Sequence, residues 1–452
     1  MWSGDTLDDV DDAEYSDEVG KPAARVNRLS RTIHGWSWQA FPIGMGTGAV
    51  YVCLAGVDPA PPRTLRVIQT MFYFMNMGLF VINTTTLFLQ LLLYPRQAKR
   101  LVTDPSKGIF VPLMVLAFAT IIIGTVNYAL DDDVYIPPML VYVLFWARIA
   151  RVLPHAYGMV QSTSRHDDVY SGMGVFGISD GGIVACNVLR VLDPASNQAL
   201  GVMLTGYIFQ GLGFFMTLFY ICIYVMRIMT TGFLEGHQAN GAFVACGPPG
   251  FTALALVNLG DAARSILVKH NLVSPIAGEV WFAASVLSAL LLFGLALFFF
   301  AFGAIPYWFK LHKRLSEILG CWALTFPNVG WILTMRKFGD IFDLPFFTIC
   351  SFIMSVFMCI AWLILFGLTV LALWKGKIFT ATHEEALRDA RGSKRPDLEL
   401  ALMANSQIGV HNATTRECTS TDGERAGEVS PTLSTAAVVS GPTRSSMVWR
   451  QS

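Results

Sequence analysis

The feature that most constrains this chain is a succession of long apolar stretches that contain few charged residues. A helix needs about 20 apolar residues to cross the hydrocarbon core of a bilayer, and soluble domains seldom contain such runs. The stretches lie near residues 38–57, 67–94, 109–130, 137–160, 172–192, 200–226, 241–259, 278–309, 318–335 and 345–374. The sequence therefore predicts an all-α polytopic membrane protein with about ten transmembrane helices.

The charge content agrees with a membrane environment. Charged residues make up 14% of the chain, compared with about 25% in soluble domains. The formal net charge is zero, so the total charge does not indicate a nucleic-acid partner. The cysteines form no Cys-x-x-Cys pair and mostly lie in apolar stretches, where they are interpreted as small hydrophobic residues. We expect no cofactor and no metal site.

Basic residues in the loops predict the orientation of the chain. Cytoplasmic loops of membrane proteins are enriched in lysine and arginine. An even number of crossings places both tails on one side of the membrane, and two basic loops lie on that side. The first loop contains Arg96, Lys99, Arg100 and Lys107, and the second contains Lys310, Lys313 and Arg314. Both termini are therefore predicted to be cytoplasmic.

Composition also divides the chain into three parts. Residues 36–376 are predicted to form the transmembrane domain. Residues 1–35 and 377–452 are predicted to be cytoplasmic and mostly disordered, because they contain too little apolar periodicity to bury a core.

Glycine and proline concentrate in alternate predicted helices, as in the stretches 44–48, 247–250 and 326–330. Kinked or broken backbone is tolerated at membrane depth only where protein or a water-filled cavity satisfies its polar groups. The odd helices are therefore predicted to face a central pore, and the even ones to surround them, as five helical hairpins. The alternative is that small residues merely allow close helix packing.

Polar groups on the odd helices could stabilise an anion. Few ionisable groups lie deep in these spans, but hydroxyls, amides and the positive ends of half-helices suit a carboxylate. Each of these polar side chains could equally form a packing hydrogen bond. The predicted pore-lining residues are Gly46, Thr47, Gly48, Pro248, Pro249, Thr252, Asn258, Pro327 and Asn328.

Three stretches, 206–214, 246–258 and 320–330, carry a family resemblance. The chain resembles the tellurite-resistance/dicarboxylate transporter family, which is related to voltage-dependent slow anion channels, and is most similar to its fungal malic acid transport branch. The resemblance extends from about Trp36 to Trp374. It implies transport of malate-like C4 dicarboxylates across the plasma membrane, either together with protons or down the gradient of the substrate. It also implies a gate at Phe326, a phenylalanine directly before a proline in the ninth helix, and a homotrimer like that of a bacterial relative.

Two other functions were weighed. The stretch 45–48 is more similar to the sulfite-efflux branch of the family, so efflux of sulfite or another small inorganic anion is the alternative. A membrane-embedded enzyme is disfavoured, because His34 and His155 are isolated and no serine nucleophile motif is present. The expected partners are therefore a small anion and membrane lipid.

Residues 147–182 depart from the family pattern. Arg148 and Arg151 lie near the middle of a predicted span, where a charge costs about 3 kcal/mol on insertion scales. One interpretation is an anion-attracting pair, because arginine binds carboxylates bidentately. The other is a local shift of the reading frame in the sequence.

Overall fold

A computed structural model describes residues 28–57, 62–103, 110–129, 136–163, 181–232, 243–310 and 318–381. Their regular structure is helical, and these residues contain no strand. The α-helices are α1 (Arg28–Gly35), α2 (Phe41–Val57), α3 (Arg63–Leu93), α4 (Pro95–Thr103), α5 (Pro112–Ala129), α6 (Pro138–Thr163), α7 (Gly181–Leu189), α8 (Asn197–Thr231), α9 (Gly247–Lys269), α10 (Ala277–Lys310), α11 (Ile318–Cys321), α12 (Phe326–Phe342) and α13 (Pro345–Trp374).

Seven helical segments in the described part of the chain are long and apolar enough to cross a membrane. They are Trp38–Val57, Arg63–Leu93, Asn197–Thr230, Phe243–Lys269, Ala277–Ala304, Ile318–Phe342 and Pro345–Trp374. Shorter apolar helices occupy Pro112–Tyr128 and Pro138–Ala150. The predicted all-α architecture with several apolar spans is confirmed at this level.

Ten of the described helices pack in two groups, one inside the other. Helices α2, α5, α7, α9 and α12 contact one another in that order, and α12 contacts α2, so that they close a ring. We call these the ring helices. Helices α3, α6, α8, α10 and α13, the jacket helices, each pack against the ring helix before them in the chain and against the next one around the ring. Each jacket helix therefore covers the outer groove between two ring helices.

The prolines of the ring lie at the beginnings of helices. Pro248 and Pro249 lie in the first turn of α9, and Pro327 in the first turn of α12. Proline costs little there, because the missing N–H would have no partner within the helix. The backbone is irregular just before α12. A 3-10 turn spans Trp322–Leu324, and Thr325 after it has φ −92° and ψ −83°. These prolines thus mark breaks between helices rather than kinks inside them.

One jacket helix carries a stripe of buried amides. Gln69, Asn76, Asn83 and Gln90 recur at every seventh position of α3 and are at most 9% exposed. We call them the amide ladder. Three donate to backbone oxygens in or near α2: Gln69 to Leu54 (3.0 Å), Asn83 to Ala40 (3.0 Å) and Gln90 to His34 (2.7 Å) and Trp36 (3.1 Å). These bonds attach α3 to the first ring helix along its whole length.

The segments that flank the predicted transmembrane domain contact each other. Arg31 Nε donates to the Ala381 oxygen at 3.1 Å, and the Ala381 N–H donates to the Arg31 oxygen at 3.3 Å. The rings of Trp36 and Phe379 stack with their centroids 4.5 Å apart. Helix α1 and the chain as far as Ala381 therefore pack beside residues 36–376.

The segment that departs from the family lies partly outside the described residues. Helix α6 continues into this segment without a break as far as Thr163, and Arg148 on this helix is only 1% exposed. The side chain of Arg151 and residues 164–180 lie outside what the structure describes. The two interpretations of this segment therefore stay hypotheses.

Candidate functional site

The ring helices enclose a cavity of about 520 Å³. Its wall contains residues from all five ring helices and from the turn after α7. It runs along α12 from Phe326, the first residue of that helix, to Asp340 near its end. The volume is in the range of small-molecule sites, which measure roughly 300–1,000 Å³.

Two phenylalanines bound the cavity at the beginning of α12. Phe251 and Phe326 stack with ring centroids 4.8 Å apart and an angle of 29° between the planes. Both are nearly buried, at 6% and 8% exposure. A contact between apolar rings offers no hydrogen bond to water or to an ion, so it can close a narrow passage.

A close crossing of α9 and α12 brings the two phenylalanines together. A Cβ placed on Gly330 would lie 2.4 Å from the Phe251 nitrogen, and a Cβ on Gly250 would lie 2.8 Å from the Trp331 nitrogen. Only glycine permits backbones to approach this closely. Thr334 Oγ1 also donates to the Gly250 oxygen at 3.3 Å.

Asn328 stabilises the turn that presents Phe326. Its Nδ2 donates to the Leu324 oxygen at 2.7 Å, and its Oδ1 accepts from Trp331 Nε1 at 2.9 Å. Thr325 Oγ1 donates to the Trp322 oxygen at 2.7 Å. The amide predicted to line the path therefore forms bonds within the polypeptide, beside the phenylalanine pair.

Two predicted hydroxyls bond to jacket helices. Thr47 Oγ1 accepts from Trp362 Nε1 of α13 at 3.1 Å and donates to the Ile43 oxygen at 2.8 Å. Thr252 Oγ1 accepts from Gln210 Nε2 of α8 at 2.8 Å. Both threonines are buried and tie a ring helix to the jacket.

The predicted pore residues thus divide into two groups. Phe326 and Asn258 line the cavity. The others lie outside its wall, packed among the helices: Gly46 against Trp322 and Thr325, Gly48 against Thr120 and Asn76, Pro248, Pro249 and Pro327 in first turns, and Thr47, Thr252 and Asn328 in the bonds described above.

Charged groups line the other end of the cavity, where the ring helices end. Arg336 pairs with Asp340 at 3.4 Å one turn further along α12, and Asp261 lies 3.7 Å from Arg264 on α9. The remaining charged side chains of the wall are Arg190 and Lys337. The negative ends of the helix dipoles favour cations at this position.

Arg190 is oriented by two neutral amides. Its Nη1 donates to Asn127 Oδ1 of α5 at 2.8 Å and to Asn187 Oδ1 of α7 at 3.4 Å. All three residues line the cavity. The wall therefore offers amide, guanidinium and ammonium donors, which suit an anion.

Within the described ranges, no group of three or more His, Cys, Asp or Glu side chains is arranged to hold a metal ion.

A model of the SLAC1, or voltage-dependent anion channel, family matches residues 35–370. The match includes all five ring helices. The chain belongs to this family. The resemblance proposed from the stretches 206–214, 246–258 and 320–330 is thereby confirmed.

Relatives with named functions represent two kinds of anion. A malic acid transport protein of Schizosaccharomyces pombe is 25% identical over 358 residues, which cover 76% of this chain and 80% of that protein. Sulfite efflux pumps of Arthroderma benhamiae and Trichophyton rubrum are each 23% identical over 372 residues, 78% of this chain and 95% of the relative. Proteins similar to this chain thus include both a malic acid transport protein, which matches the function that the sequence favours, and sulfite efflux pumps, which match its alternative.

Sequence reasoning missed several residues of the cavity wall. Phe251 directly follows the Gly-Pro-Pro-Gly stretch, and that position could have suggested a partner for Phe326. Asn127, Arg190 and Lys337 are polar residues near the ends of three odd apolar stretches. Their shared position at helix ends could have suggested a common site, but only the packing of the ring helices shows that they line one cavity.

Proposed function

We propose that this protein transports C4 dicarboxylates such as malate across the plasma membrane, through the space that the ring helices enclose. The observation that carries this proposal is the cavity, whose wall comes from all five ring helices. It has apolar rings at one end and cationic groups at the other. The malic acid transport protein of Schizosaccharomyces pombe supports this class of substrate.

The proposal includes the membrane topology. Ten crossings, arranged as five helical hairpins around a central pore, would pair each ring helix with the jacket helix that follows it. The basic residues of the loops favour cytoplasmic termini, and the cavity would then open toward the outside of the cell. A homotrimer is the proposed assembly, as the family resemblance implies.

The gate of the proposed pathway is Phe326, held against Phe251. An apolar constriction excludes water and ions until a ring rotates away. The support for this role is the position of the stacked pair at one end of the cavity, at the first residue of α12.

Uptake of labelled malate into vesicles that contain the purified protein tests the function. We expect uptake above that of protein-free vesicles, and a faster rate with an inward proton gradient if protons are cotransported. Uptake no greater than in protein-free vesicles would contradict the dicarboxylate proposal.

The second candidate is efflux of sulfite. The sulfite efflux pumps that align over 78% of this chain favour it, as does the stretch 45–48. Expression in sulfite-sensitive yeast distinguishes the two functions. Relief of sulfite sensitivity by a protein that takes up no malate would favour the pump.

A further inference from the structure

Two cations from different ring helices reach the same part of the cavity wall. Arg190 follows the end of α7, and Lys337 lies in the last two turns of α12. Both line the cavity at the end where the ring helices end. Arg190 is exposed and Lys337 is partly exposed, so water and small solutes can reach both groups.

The acidic groups of the wall do not neutralise these two cations. Asp340 pairs with Arg336, and Asp261 with Arg264. In the part of the chain that the structure describes, neither Arg190 nor Lys337 forms an ion pair with a carboxylate. Two positive charges at this end of the cavity are therefore left for a ligand.

The hydrogen bonds of Arg190 suit it to bind a carboxylate. Asn127 and Asn187 both accept from Nη1, so these two bonds leave the Nε and Nη2 donors for another partner. Those donors can bind the two oxygens of one carboxylate side by side. Lys337 provides a compact point charge on a flexible stem, which can adapt to a second anionic group.

We infer that Arg190 and Lys337 together form a binding site for a dicarboxylate, in which each cation binds one carboxylate at the charged end of the cavity. This inference rests on the proposed function and specifies the class of substrate that the site selects. A monocarboxylate engages only one of the two cations, so the site favours dianionic organic acids. It also concentrates them on the outer side of the Phe251 and Phe326 pair.

Binding of malate and of lactate to the purified full-length protein in lipid nanodiscs tests the inference, by calorimetry at one fixed ionic strength. Lys337→Gln and Arg190→Gln are each expected to raise the malate Kd about tenfold or more, as for the loss of one charged hydrogen bond. Lys337→Gln should change the lactate Kd less than about threefold, because one cation remains.

Lys269→Gln is the matched control. It removes one positive charge at the same end of the ring, but Lys269 and its partner Asp193, 3.9 Å away, both lie outside the cavity wall. Its malate Kd should stay within about twofold of the unchanged protein. Arg190→Lys, which retains the charge but not the paired donors, should give an intermediate Kd and guards against a folding defect in Arg190→Gln.

Equal malate affinities of Lys337→Gln and Lys269→Gln would overturn the inference, as would equal losses for malate and lactate. Failure of the transport proposal has a different signature. In that case the unchanged protein binds malate in a manner that depends on both cations, but its vesicles take up none. Sulfite, added as a competitor, shows whether an inorganic dianion occupies the same pair of cations.

Discussion

The ring helices and the jacket helices that are long enough to cross a bilayer differ in how deeply they are buried and in how apolar they are. In the most apolar parts of α2, α9 and α12, 67%, 83% and 72% of the residues are buried, and the mean hydropathy is only 1.4 to 1.6. In α10 and α13, 28% are buried and the mean hydropathy reaches 2.5 and 2.7. The more a helix faces lipid, the more apolar it has to be, whereas a helix surrounded by protein can carry glycine, amides and hydroxyls.

Helix α3 is the informative exception in the jacket. Its mean hydropathy is 1.4, although only 22% of its most apolar part is buried. The amide ladder accounts for this value, because its polar groups lie on one stripe and bond to the ring. Polarity inside the membrane is therefore tolerated on any helix face that turns toward a protein partner.

Glycine substitutions should give the largest difference in stability between variants of the ring and variants of the jacket. Gly330→Leu should destabilise the protein by about 3 kcal/mol or more, because its side chain would meet the backbone of α9. Gly294→Leu on jacket helix α10 should change stability by less than about 0.5 kcal/mol, since a Cβ there meets nothing within 4 Å. Thermal unfolding and size-exclusion profiles of both variants provide the measurement. Similar profiles would mean that the close ring crossing is not needed for folding.

The next largest difference is expected in anion flux, between phenylalanine variants of the ring and of the jacket. Phe326→Ala should raise anion flux about tenfold, the change that ~1.4 kcal/mol of barrier represents. Phe298→Ala on α10, where the ring is 56% exposed, should leave flux unchanged. Flux per inserted protein is compared in vesicles. An unchanged flux in well-folded Phe326→Ala protein would remove Phe326 from the pathway.

A smaller effect is expected from the amide ladder. Asn83→Ala leaves the Ala40 oxygen without its donor and should cost about 1 kcal/mol. Thr85→Ala, two residues further along and on the exposed side of the same helix, should cost less than about 0.5 kcal/mol. Melting temperatures in one detergent provide the comparison. An equal loss in both variants would show that the ladder does not secure α3 to the ring.

The smallest effect is expected where ring and jacket share one hydrogen bond. Trp362→Phe retains most of the apolar contact but removes the donor to Thr47, and should cost about 0.6 kcal/mol. Trp374→Phe on the same helix, where the side chain is 77% exposed, is the control. Urea or thermal unfolding experiments that resolve a few tenths of a kcal/mol in the free energy of unfolding provide the measurement. A larger loss in Trp374→Phe would contradict the assigned role of the Thr47 bond.

Much of the fold follows from apolar length and from where glycine and proline concentrate. Gly330 and Gly250 illustrate this, since their stretches were predicted to lie inside and they form the closest crossing of the ring. The orientation of individual side chains did not follow. Thr47 and Thr252 are polar residues on ring helices, yet they bond to Trp362 and Gln210 of the jacket. Helix rotation decides which face a hydroxyl occupies, and a few tens of degrees are enough to change its partner.

The sequence by itself determined that the chain is a helical membrane protein and to which family it belongs. It also identified Phe326 as a candidate gate. The physical reason is that the length of an apolar stretch and the presence of glycine or proline are local properties. Only the tertiary structure decided that Phe251 stacks on Phe326, and that Arg190 and Lys337 share one cavity. The two residues of each pair are 75 or more positions apart in the sequence, and their proximity depends on how five helices close into a ring.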